Sequence, residues 1–400
     1  MKTPWVIYGS ELSPFTLKII AIFQQREIPF QFMFTEGSRW ENIKIELRKQ
    51  ALVKGLLPLT WPIMDEDDEF PLVPYVFNNK GENFYDSSAI AQWIEQQQLG
   101  NDKDSLYCPE NLALDFIIRL VDEYADDYGL YMAHHHRWKV SATDNNAGAR
   151  LAHELRSLAQ PMRDRIAKNF SERQVSRLPY LFSVAPKGFL IENLPESLQP
   201  PSHNDFPPTH DLLEDSFKRL LAACENILQQ QPYLFGQRFT LADASIYGQL
   251  AMNLKDTSAA NLIQSLAPTT YQWLLDIHEG DFQSITKGNK GNLTLSERHK
   301  LLLAEICRTY VPLMQQNLNA FNQYQSQGQS YFNEKAFDQN KAIYSGIIDG
   351  TPFKHVAKSF QAKTWRALLS RWNALSTQEK LSINSLMPES HGLDKDTQNG

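Results

Sequence analysis

YGSELSPFTLKI, residues 8–19, decides how the first part of this chain is read. The β-prone run WVIY (5–8) leads into it, and the broadly apolar run LKIIAIF (17–23) leads out of it. Pro14 suits the first position of a helix, because its missing N–H is one that a helix start leaves unpaired anyway. The stretch therefore predicts a strand, a tight turn and a helix, with Ser13 as the N-cap. Redox enzymes built on such a turn carry a cysteine pair there. This turn carries only hydroxyls, on Ser10, Ser13 and Thr16. If it is an active site, the sulfur it works on is not its own.

Outward from this turn, strand and helix signals alternate to about residue 95. REIPF (26–30) leads into a second strand at about 30–34, and a polar helix follows at about 39–49. The segment GLLPLTWPIMDEDDEFP (55–71), rich in proline and acid, reads as an extended loop. VPYVF (73–77) and ENFY (82–85) read as two strands joined by the hairpin signal Asn78-Asn79-Lys80-Gly81. Asp86-Ser87-Ser88 then caps the helix AIAQWIEQQ (89–97). The order β-α-β-α-β-β-α breaks the alternation of a doubly wound sheet and predicts a small mixed sheet with helices on both faces.

Beyond residue 100 helical signals dominate, at 112–138, 150–170 and 211–230. A further helix opens within FGQRFTLADASIYGQLAM (235–252), where Thr240 is the N-cap and Asp243 answers it as in a capping box. From about 293 a last helical region is expected to run to 386, followed by a polar tail. Its amphipathic stretch FQAKTWRALLSRW (360–372) is expected to pack on the body. The chain thus divides at 1–98, 99–285 and 286–400.

With 42% hydrophobic and 21% charged residues, the 400-residue chain has the makings of an ordinary packed core. No apolar run approaches the ~20 residues of a bilayer span, so no membrane role is expected. MKTPWVIYGS lacks the apolar core of a secretory signal. Cys108, Cys224 and Cys307 are odd in number and far apart, which speaks against a disulfide framework or a cysteine metal site. A cytoplasmic protein is expected. The net charge of −7 gives no electrostatic reason to expect nucleic acid. HHHRW (134–138) invites a metal reading, but neighbouring helical residues point ~100° apart. A solvated or cleft-facing helix end is expected there, and no metal.

Four pieces, taken together in their order and spacing, resemble the glutathione transferase family over about residues 4–280. YGSELSPFTLKI is similar to the family's serine-type turn. LVPYVF (72–77) is similar to its valine-proline pair before the third strand. FYDSSAIAQWIE (84–95) is similar to the acidic residue-serine pair opening its third helix, and FTLADASIY (239–247) to the buried capping motif of its second domain. The resemblance implies an α/β thioredoxin-like N-terminal domain, an all-α C-terminal domain and, here, a further helical extension. It implies glutathione as co-substrate, a small electrophile as the second substrate, and a homodimer.

The resemblance also implies roles. Ser13 would hydrogen-bond the glutathione thiolate, with Tyr8, used by other branches, as the rival. The Val73–Pro74 bond would be cis and leave the Val73 backbone to pair with the tripeptide. Asp86 would take the γ-glutamyl ammonium, and Ser87 its carboxylate. The magnitudes are consistent. Lowering a thiol pKa of about 8.5 by two units needs ~2.7 kcal/mol. A hydrogen bond to a charged group supplies ~1.5–3 kcal/mol and a helix terminus ~0.3–1.

Two features depart from the family pattern. The segment before Val73 is long and carries the acidic run 65–69, and the chain continues about 115 residues past the second domain. Lys44, Lys49 and Lys54 are the candidates for the glycyl carboxylate. These departures keep open a non-catalytic binding or scaffold protein. A glutathione-dependent reductase would need a cysteine where Ser13 stands.

Overall fold

The computed structural model describes residues 5–33, 35–63, 73–100, 104–155, 158–286 and 291–394. The acidic run 65–69 lies outside the described residues. β1 (Trp5–Tyr8) passes through the predicted turn into α1 (Pro14–Gln25), followed by β2 (Phe30–Met33), α2 (Arg39–Val53), β3 (Tyr75–Phe77), β4 (Asn83–Tyr85) and α3 (Ser87–Gln96). The sheet order is β2-β1-β3-β4, parallel between β1 and β2 and antiparallel elsewhere. This is the small mixed sheet of a thioredoxin-like fold.

Its register sorts the side chains. Ile7, Val76 and Phe84 lie opposite one another and are buried with Ile19, Ile22 and Phe23 of α1. Tyr8, Tyr75 and Tyr85 form the neighbouring row, on the other face. α1 is apolar nearly all round because it packs on the sheet and also on α9 (Leu241–Ala251) of the helical half. Gly248 permits that second contact, since a Cβ there would lie 2.5 Å from the Pro14 carbonyl oxygen.

The helical half comprises α4 (Leu112–Tyr124), α5 (Leu130–His135), α6 (Ala147–Glu154), α7 (Gln160–Ser176), α8 (His210–Leu228), α9 (Leu241–Ala251), α10 (Thr257–Leu266), α11 (Pro268–His278) and α12 (Phe282–Thr286). The helix expected at 112–138 is continuous in path but contains two π turns, Ala125–Gly129 and His136–Val140. The one expected at 150–170 is two helices. Pro161 sits in the first turn of α7, where its missing N–H is one that a helix start leaves unpaired anyway. The Thr240–Asp243 capping box forms with both of its arms.

The C-terminal region adds α13 (Lys300–Arg308), α14 (Tyr310–Ser326), α15 (Asn333–Asp338), β5 (Ile343–Ile348), β6 (Thr351–Val356), α16 (Ser359–Ala374) and α17 (Thr377–Asn384). β5 and β6 form an antiparallel hairpin within the helical region expected from about 293. The reason is local. Asp349 and Gly350 both take positive φ, 49° and 74°, as the tightest hairpin turns require. The region shares one core with the rest of the chain. Phe116 of α4 meets Trp372 of α16 at 5.3 Å, and Tyr124 meets Tyr310 at 6.2 Å. Among the described residues no helix is long and apolar enough to cross a membrane.

Candidate active site

Ser13 heads α1, half-buried, and its Oγ accepts the Thr16 N–H at 3.4 Å. The hydroxyl proton is not used by that bond, so it can be donated to an acceptor in front of the helix. The turn around it is held from both halves of the molecule. Ser13 N–H donates to Ser10 C=O at 3.0 Å, and Leu12 N–H to Ser10 Oγ at 3.1 Å. Across the cleft, Arg137 Nη1 donates to Leu12 C=O at 2.9 Å and Glu154 accepts the Glu11 N–H at 3.0 Å. Arg137 is buried and is itself fixed by Asp256 at 2.8 Å. Tyr8 differs from Ser13. Its hydroxyl donates to Glu46, and burial together with that carboxylate pushes its pKa far above the phenol value.

Asp86 heads α3 with φ 65° and ψ 125°, a backbone region that costs a non-glycine residue ~1–3 kcal/mol. Its Oδ1 accepts the Ala89 N–H at 2.8 Å, and burial pushes its pKa above the carboxylate norm. Ser87, the first helical residue, is buried. The Val73–Pro74 peptide is cis. Ser13, Tyr8, Val73, Asp86 and Ser87 all border a single cavity of about 1110 Å³. From α2, Asn42, Ile43, Glu46 and Leu47 reach it; Lys44 and Lys54 are exposed, and Lys49 leans toward Glu46 at 3.9 Å.

Beneath the two helix heads lies a buried cation. Lys18 of α1 donates to Ser88 Oγ at 2.7 Å, Asp122 Oδ1 at 2.6 Å and Asp126 Oδ2 at 2.7 Å. All three ammonium protons are thus accounted for, and α1, α3 and α4 are tied at the point where the site forms. Burial still outweighs the Lys18 attraction at Asp126 and pushes its carboxyl up to about 7.

The far wall follows from the π turns. Asp122, Asp126, Leu130, His134 and Trp138 all border the cavity at a spacing of four. On a pure α-helix that row would drift about 40° at every step. The wider π turns take the drift back and keep the row facing one way. Tyr131 also borders the cavity, whereas Tyr124 and Tyr128 are core. The remaining wall comes from α6 and α7, including Leu151 and Phe170, and from the C-terminal region, including Lys358, Gln361 and Leu368.

Residues 217–275, from within α8 to within α11, match the family model described as the glutathione S-transferase C-terminal domain. The chain carries a glutathione transferase C-terminal domain. No curated protein sequence matches the chain significantly. Among solved structures it is similar to a glutathione transferase from poplar, at 17% identity over 72% of this chain and 100% of that chain, with a TM-score of 0.34. It is similar to a β-etherase from Sphingobium sp. strain SYK-6, at 16% identity over 72% and 100%, with a TM-score of 0.41. It is also similar to a Methylobacillus flagellatus glutathione S-transferase with glutathione bound, at 12% identity over 70% and 98%, with a TM-score of 0.38. Scores this low carry no weight of their own. The glutathione transferase fold stands on the matched domain, the sheet order and the motifs at the two helix heads.

Within this fold, the expectation of a solvated or cleft-facing helix end holds for His134 and fails for His135 and His136. His134 borders the cavity, while His135 and His136 are fully buried. His135 bonds Ser183 at 2.8 Å and Glu214 at 3.2 Å, and His136 stacks on Phe217 at 3.8 Å. Arg137 and Glu154, which hold the Ser13 turn, carry no local sequence signal. Their bonds to it span 125 and 143 positions of chain.

Proposed function

We propose that this chain binds glutathione across the heads of α1 and α3 and activates its thiol for attack on a small electrophile. One observation carries the reading. A hydroxyl with an available proton, and a carboxyl-hydroxyl pair, stand at the heads of two helices that open on the same cavity. Helix heads favour anions through free N–H groups and the helix dipole. The Ser13 hydroxyl suits a thiolate, Asp86 suits the γ-glutamyl ammonium, and Ser87 with the first N–H groups of α3 suits the carboxylate beside it. Tyr8 suits the thiolate role less, because its proton already goes to Glu46. The cavity is large for one ligand, since small-molecule sites usually measure ~300–1,000 Å³. That leaves room for an electrophile beside the tripeptide. A homodimer is the expected assembly, readable by light scattering.

The test is glutathione binding by calorimetry at millimolar concentration, followed by ultraviolet titration of the bound thiolate. Ser13→Ala is expected to raise the bound thiol pKa by one to two units, the size of a lost charged hydrogen bond. Tyr8→Phe is expected to leave it in place. The reverse pattern assigns the donor to Tyr8, and no binding at all favours a scaffold.

A further inference from the structure

The cavity has a second polar end. Lys358, the residue before α16, and Gln361 in its first turn are buried and border the cavity together with Asp127 and Tyr131. Gln361 Nε2 donates to Tyr131 Oη at 2.7 Å and to Asp127 Oδ1 at 3.2 Å. Lys358 Nζ donates to the same Tyr131 Oη at 2.8 Å. Its ammonium also lies 4.6 and 4.4 Å from the Tyr131 and Tyr180 ring centroids. These bonds fix the four side chains and leave the cluster incomplete. Among the described residues, Asp127 Oδ2 and Gln361 Oε1 are buried without a hydrogen-bond partner. Turning the Gln361 amide over does not cure this, because it only puts an unpaired NH2 group where the unpaired oxygen was.

A buried acceptor left unpaired costs ~1–3 kcal/mol, so two in one cluster mark a place where a ligand gains by binding. The chemistry of that ligand is constrained from both sides. An ammonium would serve the two acceptors but meet the Lys358 ammonium. A carboxylate would serve Lys358 but face Asp127 and Gln361. A hydroxyl does both, donating its proton to one acceptor and taking a hydrogen bond from Lys358. Charge at the cluster is also muted. Burial draws Lys358 down to about 7 despite Asp127, and burial pushes Asp127 up to about 7. The rest of the cavity wall is rich in apolar side chains, among them Leu130, Leu155, Phe170 and Leu368.

We infer that Lys358, Gln361, Asp127 and Tyr131 form a subsite for the hydroxyl of an apolar, ring-bearing phenol or alcohol. Assigning that molecule the part of second substrate rests on the glutathione reading; its binding does not. The probes are 2-naphthol and its methyl ether, 2-methoxynaphthalene, titrated separately at pH 8, above the Asp127 titration near 7, into the full chain without glutathione. The naphthol is expected to bind at least about tenfold tighter, because the ether has no proton for the two acceptors. Gln361→Leu and Lys358→Met are each expected to shrink that preference to about threefold or less. Equal binding of the two probes by the unaltered chain overturns the subsite, whatever the variants do. A preference that survives in both folded variants overturns it as well. Glutathione is titrated in parallel. A chain that prefers the naphthol but ignores glutathione keeps the subsite and loses the transferase reading. One that binds glutathione but treats both probes alike loses only the subsite.

Discussion

Asp86 is strained, capped and partly desolvated at once, and its protonation is the property that solution work can read. Burial raises its pKa in the free protein, so it takes up a proton at a higher pH than an ordinary carboxyl of ~4. An ammonium partner needs the carboxylate. Glutathione affinity is therefore expected to fall as the pH drops from 7 toward 4. Asp86→Asn should weaken binding about tenfold or more and flatten the pH profile in that window. Calorimetry at several pH values checks this, and a profile unchanged by the substitution would remove Asp86 from ammonium recognition. Ser13, Asp86 and Ser87 could be placed from the sequence because each sits at a helix cap, and Val73 because it precedes a proline at a strand start; the ligand roles proposed for them come from the family resemblance. Lys358 and Gln361 carry no such signal. Their bonds to Tyr131 join residues 227 and 230 positions apart.

At the scale of elements, the opening of α9 concentrates much of its order in a single side chain. Asp243 accepts the Leu234 N–H at 2.7 Å, the Thr240 N–H at 2.8 Å and the Thr240 hydroxyl at 2.6 Å. Asp243→Ala would orphan two buried N–H groups, so a loss of about 3 kcal/mol or more is expected. Thr240→Ala removes one cap and should cost about 1 kcal/mol. Urea denaturation distinguishes the two, and equal losses would refute the central place given to Asp243. This box was readable from FTLAD because a cap is written within four residues. The β5–β6 hairpin has a signal just as local, Asp349-Gly350, yet it lies between helices whose periodicity pulled the reading of the whole region toward helix. The π turns of 125–129 and 136–140 had no signature in composition; tertiary packing around the cavity decides them.

For the molecule as a whole, buried titrating groups pull in opposite directions. Burial holds His134, His136 and His210 down to about 3. Each stays neutral in the fold while its unfolded counterpart protonates below ~6.5. Their contribution is complete above that pH and falls by about 1.4 kcal/mol per unit per group on acidification. Asp126, Asp127 and Glu154, pushed up to about 7 by burial, act the other way. They hold protons that the unfolded chain releases above ~4, so acidification from 7 to 4 strengthens the fold through them. Below ~4 that compensation stops, while the histidine loss continues. Glu214, held below the usual carboxylate range chiefly by its His135 bond, then adds its own loss. The melting temperature is thus expected to stay nearly level from pH 7 to about 4.5 and to drop steeply beneath about 4. A steady decline beginning near 6.5 in a calorimetric series would show that the three carboxyls are ionised in the fold. The same long-range assembly sets a division of labour along the chain. The rim at Ser13 and Ser87 and the wall at Lys358 and Gln361 belong to opposite ends of the gene. On the proposed glutathione reading, substitutions accumulating near the 3′ end would redraw which compounds enter while Ser13 and Ser87 stay as they are, so that relatives would diversify in taste without reinventing a chemistry.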